Sequence, residues 1–264
     1  MDGSGKDPRP GELRAARSWL ARHGLGDTPP TPLLAARLAA RWRARVVEQV
    51  LLALLIMTAA AVYAFGVLSG PGGSGPLVLL GGLVVALLAA RWQVEAWVRR
   101  VDRRAGAALA RRAAHPVQLG WRALLGRPHA ACAAGIHAAA LALAAGAFAT
   151  GDTAVRRAAA VLLVALAGAA AAAVLQLRDL LRRPVVAEDE VSLTADVIMR
   201  IEDARESMSP GVVWSLPVIL LLGPTFGWWS AVSVGLVPLG LAAVALVQLR
   251  APSTAAMARR IVAP

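Results

Sequence analysis

Lysine is nearly absent from this chain. Lys6 is the only one in 264 residues, and every other basic side chain except the four histidines is arginine. A phosphate-binding P-loop needs a lysine behind its glycines to reach the phosphates. Lys6 sits in the polar run GSGKD with no strand before it, so the chain carries no motif for hydrolysing ATP. Cysteine is just as scarce. Cys132 stands alone, which rules out a disulfide within the chain. Neither HExxH nor CxxC occurs among the residues. His129 and Cys132 are three apart and share a helical face, but a zinc site wants four ligands, or three and a water. No metal, no cofactor and no catalytic residue is therefore expected, and the enzyme class is set aside. A nucleic-acid partner is not expected either, because no recognised motif accompanies the arginines. The first 45 residues lack the short apolar core of a cleavable leader.

What is abundant is apolar sequence. Hydrophobic residues make up 58% of the chain, against about 45–50% in soluble domains. Mean hydropathy is +0.60. The excess falls in blocks of roughly 18–22 residues, the length at which a helix rising 1.5 Å per residue crosses a ~30 Å hydrocarbon core. The predicted class is an all-α polytopic membrane protein lying in a lipid bilayer.

Residues 1–12 are small, polar and rich in Pro and Gly, and are predicted to be a disordered tail. Residues 13–45 are predicted to form amphipathic helices at the cytoplasmic interface. Thr31-Pro32 reads as an N-cap followed by proline at the first helical position. Arg37, Arg41 and Arg45 recur every four residues beside Leu34, Leu38, Trp42 and Val46, as arginines reaching for lipid headgroups would. The membrane domain spans 46–249. Its expected crossings are 46–68, 77–90, 130–150, 158–177, 209–224 and 229–249, arranged as three hairpins. Cytoplasmic loops cover 91–127 and 178–208, and Pro116 is the first hard break after the second crossing. SGPGGSGP at 69–76 is a turn, and residues 250–264 are a cytoplasmic tail. The apolar run 212–249 would be about 57 Å long as one helix, nearly twice the hydrocarbon thickness. A turn at GPTFGW (223–228) makes it two crossings.

Arginines crowd the segment before the first crossing, the two long loops and the tail after Leu249. The positive-inside rule then puts both termini in the cytoplasm, and six crossings require that they share a side. His137 is an ionisable side chain well inside a crossing, which marks it as a candidate intramembrane polar site. No Asp or Glu lies deep in any expected crossing to partner it. The run LAGAAAAAV (166–174) is a helix-contact face, within the chain or against a second copy of it in a homo-oligomer.

The charge is uneven. The chain is formally +12, yet seven of its 16 acids fall between Ala187 and Met208. They are Glu188, Asp189, Glu190, Asp196, Glu202, Asp203 and Glu206. Leu193, Val197, Ile201, Ala204 and Met208 recur at helical spacing between them, and Ser209-Pro210-Gly211 ends the pattern. An acidic amphipathic helix is repelled by an anionic leaflet, so its apolar stripe must cover protein. Either the chain's own arginines or a cytoplasmic partner would receive it. The fragment SLTADVIMRIEDAR (192–205) resembles a segment of uncharacterised polytopic integral membrane proteins of high-GC Gram-positive bacteria. That resemblance implies a bacterial plasma membrane and carries no activity.

Two functional expectations follow. The layout is similar to the membrane half of an ABC exporter, which predicts a permease-like or accessory transport subunit with its ATPase in a separate chain. The alternative is a non-transporting membrane anchor or regulatory scaffold that docks cytoplasmic partners through its amphipathic helices.

Overall fold

In a computed structural model, the residues described are 9–69, 75–107, 120–183, 187, 189–208, 211–222 and 227–262. The tail before Arg9, most of the 69–76 turn, the break at Pro116, Glu188, Ser209-Pro210 and most of the 223–228 turn lie outside them. The described residues form ten helices and no strand: α1 (Pro10–Arg22), α2 (Pro32–Ser69), α3 (Gly75–Ala107), α4 (Trp121–Leu124), α5 (Arg127–Phe148), α6 (Thr153–Arg182), α7 (Glu190–Ser207), α8 (Gly211–Leu221), α9 (Trp228–Arg250) and α10 (Thr254–Val262).

Local chemistry sets many of these boundaries. The Thr31 hydroxyl accepts from the Leu34 amide at 3.2 Å, and Pro32 opens α2 behind it, as expected. Asp152 caps α6 by accepting from the amides of Ala154 and Val155. Asp189 caps α7 by accepting from the Ser192 amide at 2.7 Å. The tail expected to be disordered through residue 12 is already helical at Pro10, with Glu12 accepting from the Arg9 amide at 3.2 Å. The expected C-terminal tail contains α10, whose amide at Ala256 is capped by the Ser253 hydroxyl.

Two apolar cores share the long helices. The larger one joins α2, α3, α5, α6 and α8, with Leu55, Leu80, Leu162, Leu166 and Leu216 at its centre. The smaller one gathers Trp19 and Leu20 of α1, Leu124 of α4, Leu180 of α6, the middle of α7 and Ala258 of α10. α1 and α10 also meet directly, because Arg259 donates to the carbonyls of His23 and Gly24. The outside of the larger bundle is apolar. Met57, Phe65, Val78, Val164 and Leu239 are all about 70% exposed, an arrangement that water does not favour and a bilayer does. Among the described residues, five helices are long and apolar enough to cross a membrane: Pro32–Phe65, Val78–Ala107, Arg127–Phe148, Thr153–Arg182 and Trp228–Arg250. The protein is thus an all-α chain of multi-pass membrane type.

Three expectations change. The interfacial helix and the first crossing are one continuous α2 of 38 residues, about 57 Å long. The second crossing likewise runs on as α3 to Ala107. The segment expected as a crossing at 209–224 holds α8, whose 11 residues rise only about 17 Å. α8 is enclosed by protein, with Val212, Val213, Leu216, Leu220 and Leu221 buried. Its last carbonyls are satisfied by side chains from neighbouring helices. The Tyr63 hydroxyl donates to the Ile219 carbonyl, and the Ser230 hydroxyl donates to the Leu221 carbonyl at 3.3 Å. A helix can end at that depth only if its orphan carbonyls find such donors.

Candidate functional site

The arginine row on α2 points inward. Arg37 and Arg41 are 2% and 4% exposed, whereas Trp42 beside them is 65% exposed. The expected lipid-facing arginines are therefore interior ones, because acids from two other helices converge on them. Asp102 of α3 accepts from Arg37 at 2.9 Å, from Arg41 at 2.8 Å and from Arg183 at 2.5 Å. Asp196 of α7 pairs with Arg37 at 2.5 Å and with Arg200 at 2.8 Å. Asp203 accepts from Arg41 at 2.8 Å. Arg200 also donates to the Arg183 carbonyl at 2.7 Å. Five of these charges, on Arg37, Arg41, Asp102, Asp196 and Arg200, are buried, which is tolerable only where each has partners and hydrogen bonds, and this network supplies both.

The acidic helix therefore meets the chain's own arginines. Residues 193–201 of α7 are buried on every side, so the helix is far more enclosed than a single apolar stripe requires. Glu202 pairs with His23 at 3.2 Å and accepts from the Trp19 indole at 3.3 Å. The hydrogen bond to Glu202 raises the His23 pKa above 6.5 despite burial. Burial pushes Glu202 the other way, but the hydrogen bond and charge of His23 outweigh it and leave the carboxyl below its ordinary range. Glu206 pairs with Arg45 at 2.6 Å, yet burial keeps its pKa raised. Only Asp189 and Glu190 of the described acids on this segment are exposed. The hydrogen bonds from Ser192 lower Asp189 below the usual carboxylate range.

Beside the network lies a cavity of about 90 Å³ bordered by Arg45, Glu48, Arg91, Glu95, Asp179, Arg183, Asp203 and Glu206. Glu48 and Arg91 face each other across it at 3.5 Å. A second cavity of about 40 Å³ shares Arg91, Glu95, Gln176 and Ser207 with the first and ends at His137, Val212 and Val213. Together they lead from the charged network into the apolar bundle.

Two residues that border the smaller cavity carry acceptors without hydrogen-bond partners among the described residues. His137 Nδ1 lies 3.0 Å from the Ala133 carbonyl. A carbonyl only accepts, so Nδ1 carries the proton and a neutral ring leaves Nε2 as an acceptor. His137 Nε2 and Glu95 Oε2 are both buried and have no hydrogen-bond partner among the described residues. The closest cation to Glu95 Oε2 is Arg99, 3.8 Å away. Both residues border the smaller cavity, which is roomy enough for a water. The site can thus receive a small species that donates hydrogen bonds.

No family model matches the chain, and no curated protein or solved structure matches it either. The site must be read from its own chemistry.

His137 was visible in the sequence as an isolated polar group. Its counterpart Glu95 was not, because it falls after Arg91, where the apolar run stops. The cue was the helical pattern continuing through WQVEAWVRRVDRR (92–104), which carries Glu95 alongside the bundle and Asp102 into the network. Among the described residues no three potential metal ligands gather.

Proposed function

We propose that the protein is a permease-like membrane subunit that takes a small hydrogen-bond-donating solute, or a proton, at Glu95 and His137. The observation that carries this reading is that Glu95 and His137, each with a buried acceptor lacking a hydrogen-bond partner among the described residues, border one cavity. An ionisable group inside a membrane domain is costly, and its usual justification is a substrate or ion path. Five spanning helices and the protein-enclosed α8 fit the six-crossing layout, with α8 as a half-length crossing. Broken or short helices of this kind frame substrate sites in transporters. Charged α1, α7 and α10 cluster at one end of the bundle, which the positive-inside rule assigns to the cytoplasm of a bacterial cell.

With no P-loop of its own, the chain would draw energy from a separate ATPase or from an ion gradient. The scaffold alternative is weaker, since Asp196, Glu202, Asp203 and Glu206 all engage this chain's own side chains. In-cell crosslinking and gentle detergent extraction test the ATPase form of the proposal. Recovery of an ATPase with the folded protein is the expected result. A gradient-driven form instead predicts pH-dependent uptake by vesicles that Glu95→Gln and His137→Ala both abolish. Absence of both results would refute the transport reading.

A further inference from the structure

A different cavity, of about 380 Å³, opens between α5, α7 and α9. That volume is in the range of small-molecule sites. Arg205 and His129 border it, and neither Arg205 Nε nor His129 Nδ1 has a hydrogen-bond partner among the described residues. Arg205 spends one Nη2 on the Pro252 carbonyl at 3.3 Å and on the Met257 sulfur. Among the described residues no carboxylate comes within ion-pairing distance of it. Glu202 and Glu206 border the same cavity, but His23 and Arg45 already engage them. The apolar part of the lining comes from Val244 and Val247 of α9 with Cys132 and Ala133 of α5.

We propose that this cavity binds a phosphate group, with Arg205 and His129 as donors and the α9 wall receiving an apolar tail. A planar guanidinium matches phosphate oxygens. Burial lowers the pKa of Arg205, so an anion there would restore what burial costs. The site lies where the charged helices meet the apolar bundle. The chemistry is shared by an anionic lipid headgroup and a free phosphate, and the proposal does not depend on the transport reading.

The test uses the full chain in phosphatidylcholine nanodiscs, with thermal unfolding and native mass spectrometry as readouts. Short-chain phosphatidic acid and inorganic phosphate are added separately. Arg205→Gln should weaken binding about tenfold, the scale of losing one charge-assisted hydrogen bond. Val247→Phe, which leaves both donors intact, should weaken only a ligand with a tail. Phosphatidic acid binding that both variants weaken supports a lipid site. Inorganic phosphate binding that only Arg205→Gln weakens supports a free-phosphate site. If neither probe stabilises the wild type, or Arg205→Gln binds as well as wild type, the proposal is overturned.

Discussion

Asp102 is the residue on which most of the charge network depends. Its carboxylate is 1% exposed and meets Arg37, Arg41 and Arg183. Removing one partner of a buried ion pair costs about 3–5 kcal/mol, because the other charge is left unpaired. Asp102→Asn should therefore lower the thermal midpoint strongly, measured on protein in detergent or nanodiscs. Asp203→Asn should cost less, since that side chain is 18% exposed. The His23–Glu202 pair gives a pH signature. His23 is raised in the folded state, so its contribution is complete below pH 6.5 and fades as pH climbs through the folded value. Glu202 is lowered, so its contribution holds above pH 4.5 and fades as pH falls through the folded value. The pair should support folding most between those limits. Stability measured from pH 5 to pH 9 should decline at the alkaline end, and His23→Ala should flatten that decline.

Among the helices, α8 and its neighbours are the least regular part. A Cβ at Gly240 of α9 would overlap the Trp214 ring of α8, so Gly240→Ala should cost about 1–3 kcal/mol by overpacking. Tyr63→Phe leaves the Ile219 carbonyl without its donor and should cost about 1–3 kcal/mol. Equilibrium unfolding of the two variants checks both. The helices differ in how far the sequence disclosed them. Thr31 announced the start of α2 through cap chemistry that depends only on near neighbours, whereas the crossing expected to begin at 158 already runs as α6 from Thr153, capped by Asp152. The four-residue spacing of Arg37 and Arg41 announced a helix face but not its direction. That direction depends on Asp102, 65 positions away, and on Asp196 in α7. Glu95 was hidden for the same reason, since only the packing of α3 against α6, which α5 also contacts, brings it to the His137 cavity. α10 was legible in principle, because Pro252-Ser253-Thr254 is a cap signal.

At the scale of the whole molecule, an apolar bundle carries a charged subdomain at one end, and a polar cavity joins them. The cavity should be open to water. In a Cys132→Ser background, Ser207→Cys and Gln176→Cys should react with a charged, membrane-impermeant thiol reagent on vesicles exposing the charged end. Ala140→Cys, fully buried in the bundle, should stay unreactive. The charged subdomain depends on α7 being an interior helix, held by Arg37, Arg41 and Asp102. Hydrogen exchange of α7 peptides in nanodiscs measures that directly. Wild-type α7 should be as protected as α5 and α6, and Asp102→Asn should expose α7 first. An α7 that exchanges like a freely solvated helix in the wild type would contradict the account.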